Sequence, residues 1–502
     1  MDEAGKVVRS FASMLRTSFP DSVIVYALGN NDVVPDYYLG LFDDDDDDVD
    51  VDVDGDDDGT VVARGDGIAT TPTPGTAGML GVLYDALVGG DDDDDDDDDV
   101  SILTYADAST FLAGGYYSRT VHDGSLVLLS MNTILYSSFH EPTMRHRDVD
   151  DPGGQFAWMR KVLSGCRRRR RAGACRSAMI VGHVPPAMGS FRHQQLWREG
   201  YIRTYYEIVK EFDDVVVAQL FGHLHSDEFR VGLASSPHDD ERGDRGMIGN
   251  DISLIPALST PLLLGPSVTP LHGNYPSFRI VRYDRGGRRG GTTTDGDGGY
   301  RIVDYDSYSY SMIGKDDVGG WSKLYTFSEV YGDVAGDVIE EEGLSSRTFR
   351  TIVGAMEDER WGGESPTLKA YRELKLSGAK IDANQFGASG TCDSKCRDDY
   401  MCIFMSATTS GYDRCMLERG PTWYQVGGGR LGILAGVIFA IMIIGYAFVR
   451  CRRMRRDKRK HYSSAPSVHD EAKDDGIDSQ DREFIYDEAK DDGNDLQDRE
   501  II

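Results

Sequence analysis

Positive charge is scarce in this chain of 502 residues. It contains 54 lysines and arginines against 85 aspartates and glutamates, which gives a formal net charge of −31 at pH 7. Nucleic acid is held mainly through basic surfaces that neutralise its phosphates. A chain this acidic is therefore not expected to have nucleic acid as a general partner.

Two features that exported proteins commonly carry are also missing from the sequence. Residues 1–30 hold no secretory signal peptide, and residues 1–430 hold no Asn-x-Ser/Thr acceptor for N-linked glycans. Neither absence identifies a function, so the assignment has to come from the motifs that are present.

The negative charge is concentrated in one region. Three groups of aspartates between residues 43 and 99 hold 21 of the 85 acidic residues. Runs of like charge repel one another and cannot build a core, so residues 42–100 are predicted to be a largely disordered insertion. Within it, the apolar residues from Leu80 to Val88 predict a short helix. Loose calcium binding by the aspartates is the alternative to low-complexity expansion, although no calcium-loop spacing is present.

Three apolar runs end in a glycine that is followed by side chains able to bind a metal. The runs cover residues 23–28, 178–181 and 215–220, and the side chains after them are Asn30, His183, His223 and His225. Glycine permits a sharp turn, and imidazole nitrogen or amide oxygen suits zinc, manganese or iron. A lone His-x-His pair is more often two surface histidines. Three such strand ends in one chain instead predict a metal site at the edge of a sheet.

The order of these motifs resembles the calcineurin-like metallophosphoesterases, and more closely their acid sphingomyelinase and endopolyphosphatase branch. The resemblance covers most of residues 9–330 and includes further landmarks: Gly114–Tyr117, Leu129–Thr133, Gly154–Trp158, Asp227–Phe229, Pro266–Pro270 and Ser277–Val281. It implies an α/β fold, the four-layer αββα sandwich of two packed sheets, here lacking its first strands. It also implies two divalent metal ions, most often zinc, about 3.5–4 Å apart, which clamp a phosphate and generate a hydroxide nucleophile.

Carried over by position, the resemblance implies that Asn30, His183 and His223 ligate one metal and that His225 ligates the other. Two family motifs are missing: an Asp-x-His on the first strand and a Gly-Asp on the second, which supply the bridging carboxylate and the remaining ligands. No catalytic residue can therefore be named, and the activity of the chain as it stands is left open. The missing motifs and the missing signal peptide both suggest an N-terminally incomplete sequence.

The residues after Asn30 differ from those of many relatives. Asn31 stands where such enzymes often carry a histidine that protonates the leaving oxygen, and asparagine cannot act as a general acid. The spelling Gly-Asn-Asn-Asp-Val is similar to the endopolyphosphatase-type subgroup. Asn31 and Asp32 are candidates for substrate contact, and an ordinary turn after a strand is the alternative.

A long apolar segment lies near the C-terminus. Residues 431–449 are 19 residues without a charge, which as a helix would span roughly 28 Å, close to the thickness of the hydrocarbon core of a bilayer. Basic residues follow it, so the sequence predicts one transmembrane helix with a cytoplasmic tail and an extracellular or lumenal ectodomain. The tail, residues 450–502, is basic and then acidic, and it contains a 17-residue repeat.

Six of the seven cysteines precede this segment. An even number on the side predicted to be oxidising favours three disulfides, with a structural zinc at the last four as the alternative. The sequence thus predicts a partial phosphoesterase domain over 1–312, a small helical C-terminal domain with cysteines over 313–420, a linker over 421–430, the transmembrane helix and the tail.

The predicted function is metal-dependent hydrolysis of a phosphoric ester or phosphoanhydride. Expected substrates are a phosphorylated small molecule, polyphosphate or a lipid, with polyphosphate or a nucleotide favoured over sphingomyelin. The alternative is a catalytically decayed phosphoesterase ectodomain that acts as a binding protein. A complete metal site would favour the first of these functions.

Overall fold

The fold is taken from a computed structural model. It describes residues 3–33, 36–39, 78–88, 102–140, 150–172, 174–232, 254–285, 298–312, 319–358, 364–379 and 392–419. The predicted disordered insertion, apart from residues 78–88, and the predicted linker, transmembrane helix and tail lie outside the described residues.

In the described part of the chain, three α-helices precede the first strand and five α-helices follow the last one. The helices are α1 (Glu3–Ser18), α2 (Met79–Val88), α3 (Ala108–Gly114), α4 (Gln155–Arg171), α5 (Glu199–Glu211), α6 (Phe327–Glu342), α7 (Ser346–Met356), α8 (Pro366–Lys375), α9 (Ser394–Met405) and α10 (Thr409–Arg419). The strands are β1 (Tyr117–Val121), β2 (Leu126–Ser130), β3 (Ser177–Val181), β4 (Val216–Phe221), β5 (Glu228–Arg230), β6 (Leu262–Leu264), β7 (Ser277–Arg285), β8 (Tyr300–Tyr310) and β9 (Trp321–Thr326).

Two sheets form from these strands. The larger sheet has the order β1-β2-β3-β4-β6-β5, in which β2, β3, β4 and β6 run parallel and the edge strands β1 and β5 run antiparallel. The inner strands are short apolar runs, as expected for a parallel sheet covered on both faces. The smaller sheet is antiparallel, with the order β7-β8-β9.

The larger sheet separates two apolar cores because successive side chains of a strand point to opposite faces. In β3, Ala178 and Ile180 pack into the core shared with α1 to α5, whereas Met179 packs into the core on the other face. That second core also contains Tyr305 of β8 and residues of α6 to α8. Since β2, β3 and β4 are parallel, their C-terminal ends meet at one edge.

One predicted strand does not form. Residues 23–28 run without regular secondary structure, and side chains satisfy part of their backbone. The hydroxyl of Tyr117 accepts from the backbone N–H of Tyr26 at 2.7 Å, and Ser130 donates its hydroxyl to the Tyr26 carbonyl at 2.6 Å. An apolar run becomes a strand only where a neighbouring backbone offers matching hydrogen bonds. The short helix predicted within the insertion is confirmed as α2.

The fold prediction is wrong in its transmembrane helix. Among the described residues, no helix is both long and apolar enough to cross a membrane. α4 is the longest of them with 17 residues, and it ends in five consecutive arginines. A spanning helix needs about 20 predominantly apolar residues. Residues 431–449, on which the prediction falls, lie outside the described part of the chain.

The three predicted disulfides are confirmed. Cys166 pairs with Cys175, Cys392 with Cys396, and Cys402 with Cys415. The first bond joins the end of α4 to the segment before β3, and the third joins α9 to α10. The last four of the six cysteines before residue 431 are therefore engaged in disulfides and not in a structural zinc site.

Candidate metal centre

Two of the candidate histidines, His183 and His223, lie at the ends of neighbouring parallel strands. His183 follows β3 and His223 follows β4, and the backbones beyond the strand ends remain paired. The N–H of Gly182 donates to the carbonyl of Leu220 at 3.0 Å, and the N–H of Gly222 donates to the carbonyl of His183 at 3.0 Å. The two imidazoles are thereby placed side by side at the C-terminal edge of the larger sheet.

Thr133, which follows β2, supports the turn that carries His183. Its hydroxyl accepts from the backbone N–H of His183 at 3.1 Å and from that of Val184 at 2.8 Å. A Cβ at Gly182 would lie 2.7 Å from the ring of Phe221 and 2.8 Å from Thr133. Glycine is therefore required at this strand end for close packing.

Asn30 reaches the same point from the segment that replaces the predicted strand. It begins a short 3₁₀ turn, Asn30–Asp32, in which Asp32 accepts from the backbone N–H of Gly29 at 2.7 Å. The side chain of Asn30 is 7% exposed, so its amide lies inside the protein.

Three donor atoms from these side chains meet. Oδ1 of Asn30 lies 2.8 Å from Nε2 of His183 and 3.2 Å from Nδ1 of His223, and the two ring nitrogens are 3.3 Å apart. Ligands at about 2.0–2.1 Å from a tetrahedral zinc ion are about 3.3 Å from one another. The triangle therefore has dimensions that suit three ligands of one divalent ion.

His225 lies beside this triangle and not in it. Burial is the main cause that lowers the pKa of His183 and of His223, and the proximity of His225 adds to it. The ring centroid of His225 is 4.6 Å from that of His272. The Nδ1 atom of His225 is buried without a hydrogen-bond partner. An unpartnered buried nitrogen is costly in a folded protein, and a metal ion is one partner that would satisfy it.

Backbone conformation distinguishes both histidines of the pair. His223 has φ of 72° and His225 has φ of 54°, in the left-handed region that non-glycine residues rarely adopt. Such strain persists only when the surrounding structure imposes it, and it is concentrated at functional sites. Here it turns two nearby imidazoles towards one edge of the sheet.

All three histidines are neutral at pH 7. Burial, with a smaller contribution from the neighbouring histidines, lowers the pKa of His183 to about 4, that of His223 to about 3 and that of His225 to about 4. A neutral imidazole keeps a free lone pair, which is the form that binds a metal.

Carboxylates are not part of the triangle. In the ranges that the structure describes, no group of three or more His, Cys, Asp or Glu side chains is placed to hold a metal ion. Asp32 caps its own turn, and Asp227 is buried in an ion pair with Arg279 and accepts from Ser307 at 3.1 Å. The side chains present thus fit one divalent ion held by neutral ligands.

The two candidate substrate-contact residues differ in their surroundings. Asn31 is exposed, and its Oδ1 accepts from the amide of Asn30 at 3.0 Å, so the rest of its side chain faces outward. The hydrogen bond from Gly29 to Asp32 matches the turn that was the alternative for this residue.

Aromatic side chains flank the centre, and the sequence motifs did not reveal them. Tyr37 contacts His223 and packs against Phe139 at 5.6 Å between ring centroids. His272 packs against His225 and lies 6.4 Å from the ring of Phe191. Tyr37 lies within seven residues of Asn30, and this proximity was the signal that could have found it.

Comparison with known proteins finds relatives that are named as phosphodiesterases. No protein-family model matches the chain. It is 26% identical over 251 residues to sphingomyelinase phosphodiesterase D of Dictyostelium discoideum, covering 49% of this chain and 48% of that protein. It is 25% identical over 334 residues to human acid sphingomyelinase-like phosphodiesterase 3b, covering 64% and 60%. It is 23% identical over 317 residues to the rat cyclic GMP-AMP phosphodiesterase SMPDL3A, covering 61% and 58%.

The chain thus spans about half to three fifths of the length of these curated relatives. Among solved structures, that of PhoD is similar with a TM-score of 0.24 and 10% identity, over 50% of this chain and 48% of that one. A likeness this weak supports no conclusion about the site. The sequence relatives agree with one another, and the chain is a relative of the acid sphingomyelinase-like phosphodiesterases.

Proposed function

We propose that this chain is a metal-dependent phosphoric diester hydrolase whose centre is built on Asn30, His183 and His223. The observation that carries the proposal is the triangle of donor atoms, with separations of 2.8, 3.2 and 3.3 Å. His225, with its unpartnered Nδ1, is the candidate ligand for a second ion. The names of the relatives supply the reaction class.

The protein residues bind and orient the substrate in this proposal. A divalent ion bound at the triangle would polarise a phosphoryl oxygen and lower the pKa of a bound water. Asn31, exposed beside Asn30, offers an amide for hydrogen bonds to the phosphate but no proton for the leaving oxygen. The rings of Tyr37 and His272 provide two walls against which the organic groups of a diester can pack.

An oxidising compartment is also part of the proposal. Three disulfides within the described residues support it, because cytosolic proteins rarely keep such bonds. The expected setting is therefore outside the cytosol.

One observation favours a second candidate, a protein that binds phosphoesters without turnover. Asp32 and Asp227, the carboxylates closest in sequence to the ligands, are both engaged elsewhere. A centre with neutral ligands alone holds a dication less strongly than one that includes a carboxylate.

Hydrolysis by the full chain separates the two candidates. Bis-p-nitrophenyl phosphate, a cyclic dinucleotide, polyphosphate and sphingomyelin would be tested with Zn²⁺ or Mn²⁺, and with a chelator. The proposal predicts metal-dependent turnover of at least one diester and a loss of at least about 100-fold in His223→Ala. His122→Ala is the matched control, since His122 lies in the β1–β2 turn at the opposite edge of the sheet.

Two results would overturn the catalytic proposal. Turnover that is equal in the wild type and in His223→Ala would place the chemistry elsewhere. Metal and diester binding without turnover would instead establish the second candidate.

A further inference from the structure

The segment Asp36–Leu39 lies against the candidate metal centre and contacts two of its ligands. The hydroxyl of Tyr37 is 3.2 Å from Nε2 of His223. The other ring nitrogen, Nδ1, is the one that faces Asn30 and His183. Tyr37 therefore holds His223 by the nitrogen that the metal would not use.

Asp36 acts on Asn30 in the same way. Its Oδ1 accepts from Nδ2 of Asn30 at 2.7 Å, and Oδ1 of Asn31 accepts from the same amide at 3.0 Å. Both N–H groups of the Asn30 amide are thereby used. The amide oxygen is left to face the two imidazoles, and this hydrogen-bond pattern is what assigns the orientation of the amide.

The segment is itself held in place. The N–H of Tyr37 donates to the carbonyl of Asn30 at 3.2 Å, and Nε2 of His140 donates to the carbonyl of Leu39 at 3.0 Å. Leu39 is fully buried, and the ring of Tyr37 packs on Phe139. Tyr37 also has φ of 61°, a conformation that these contacts must impose.

We propose that Asp36 and Tyr37 are positioning residues that aim Oδ1 of Asn30 and Nδ1 of His223 at one metal ion. In this arrangement Nε2–H of His223 donates to the Tyr37 hydroxyl, which leaves the Nδ1 lone pair free. The inference rests on the proposed function, since it concerns the same centre. Removing partners of this kind typically weakens metal affinity by about 10- to 100-fold.

Two side-chain truncations test the inference. Tyr37→Phe removes the hydroxyl, and Asp36→Ala removes the carboxylate that accepts from Asn30. Their controls are Tyr38→Phe and Asp21→Ala, which remove the same groups at exposed positions. His223→Ala reports on the centre itself.

The full chain and each variant would be titrated with Co²⁺ and followed by visible absorption, with thermal unfolding of the metal-free protein recorded in parallel. The expected result is a Kd raised about 10- to 100-fold and an altered d–d spectrum in Tyr37→Phe and Asp36→Ala. Unfolding of the metal-free variants should match that of their controls, which a merely structural role would not allow.

The outcomes separate this inference from the proposed function. If the wild type binds Co²⁺, His223→Ala does not, and both test variants behave as their controls, then the positioning role is overturned and the proposed function stands. If the wild type and His223→Ala give the same titration, the metal centre is overturned and the positioning role with it. A loss of affinity that matches a loss of thermal stability would mean that Asp36 and Tyr37 serve the fold alone.

Discussion

Individual side chains at the centre were predictable from their chemistry, whereas their supports were not. Asn30, His183 and His223 were found because each follows a glycine after an apolar run. The structure brings these three into contact and places His225 beside them. Asp36, Tyr37 and Thr133 act through hydrogen bonds whose partners lie up to 186 positions away. Tyr37 stands seven positions after Asn30, which marks it as a neighbour of the site, but no local pattern of residue types encodes its contact with His223.

Gly29 offers a steric test at the residue scale. Its φ of −99° suits any residue, but a Cβ there would lie 3.3 Å from Cε1 and Nδ1 of His183. Gly29→Ala should therefore displace the imidazole by a few tenths of an ångström and weaken Zn²⁺ binding by about tenfold, as for other changes beside a ligand. Calorimetric titration measures this effect. Gly200→Ala in α5, where a Cβ meets nothing within 4 Å, should bind as the wild type does.

His140 gives a pH dependence that is separate from the metal ligands. Burial, with a smaller contribution from the charge of Arg198, lowers its pKa to about 4. The pKa of an unfolded histidine is about 6.5. The contribution of neutral His140 to the free energy of unfolding is therefore complete above pH 6.5 and is lost as the pH falls towards 4. As the pH falls towards 4, the free energy of unfolding should therefore decrease by up to about 3 kcal/mol less in His140→Gln than in the wild type. Urea denaturation at several pH values measures this difference. Parallel curves for the two proteins would contradict the buried, neutral state of His140.

At the scale of elements, the loop that carries His223 and His225 is tied to the smaller sheet by the ion pair of Asp227 with Arg279, and to α8 by Glu228. Glu228 accepts from Arg230 at 2.9 Å and from Ser190 at 2.6 Å, and it pairs with Lys375 at 3.1 Å, where α8 ends. These charged groups are at most 5% exposed, and the nearby cations hold the pKa of Glu228 well below its usual range despite burial. The loop therefore depends on the helical segment that follows in sequence.

Replacing Glu228 with glutamine tests this connection. The change removes the charge that pairs with the buried Arg230, and breaking a buried ion pair typically costs about 3–5 kcal/mol. A fall of that size in the free energy of unfolding at pH 7 is expected, measured by urea denaturation. Glu341→Gln, at an exposed residue with the same chemistry, should change it by less than about 1 kcal/mol. Equal effects of the two substitutions would show that the buried network does not stabilise the fold.

The strand predicted for residues 23–28 shows what sequence patterns omit at this scale. Its apolar residues correctly mark a segment packed against the core, with Ile24, Val25 and Tyr26 half-buried there. A strand also needs a partner backbone, and here the hydroxyls of Tyr117 and Ser130 take that place for Tyr26. An apolar composition predicts that a segment is buried, but it does not determine which groups will form hydrogen bonds with the backbone of that segment.

At the scale of the whole molecule, the number of disulfides could be predicted by counting cysteines, but their pairing could not. Six cysteines before residue 431 predicted three bonds, but fifteen pairings are possible for six cysteines. The predicted transmembrane helix is the error in the fold prediction. It rested on the hydropathy of residues 431–449, and the described part of the chain holds no helix that could span a membrane.

The two C-terminal disulfides differ in the length of chain that they enclose. Cys402–Cys415 has a sequence separation of 13, against 4 for Cys392–Cys396. In the chain-entropy description the longer loop stabilises more, by about 1 kcal/mol for these lengths. Serine at both positions of Cys402–Cys415 should thus lower the free energy of unfolding by about 1 kcal/mol more than serine at both positions of Cys392–Cys396. The reverse order in urea denaturation would show that packing around the bonds outweighs loop closure.

The central claim is that Asn30, His183 and His223 bind one metal ion. Crystals of the full chain grown with Zn²⁺ and measured at the zinc absorption edge test it most directly. We expect an anomalous peak enclosed by Oδ1 of Asn30, Nε2 of His183 and Nδ1 of His223, and its loss in His223→Ala. A wild-type protein with zinc bound only elsewhere, or with no peak between these three atoms, would contradict it.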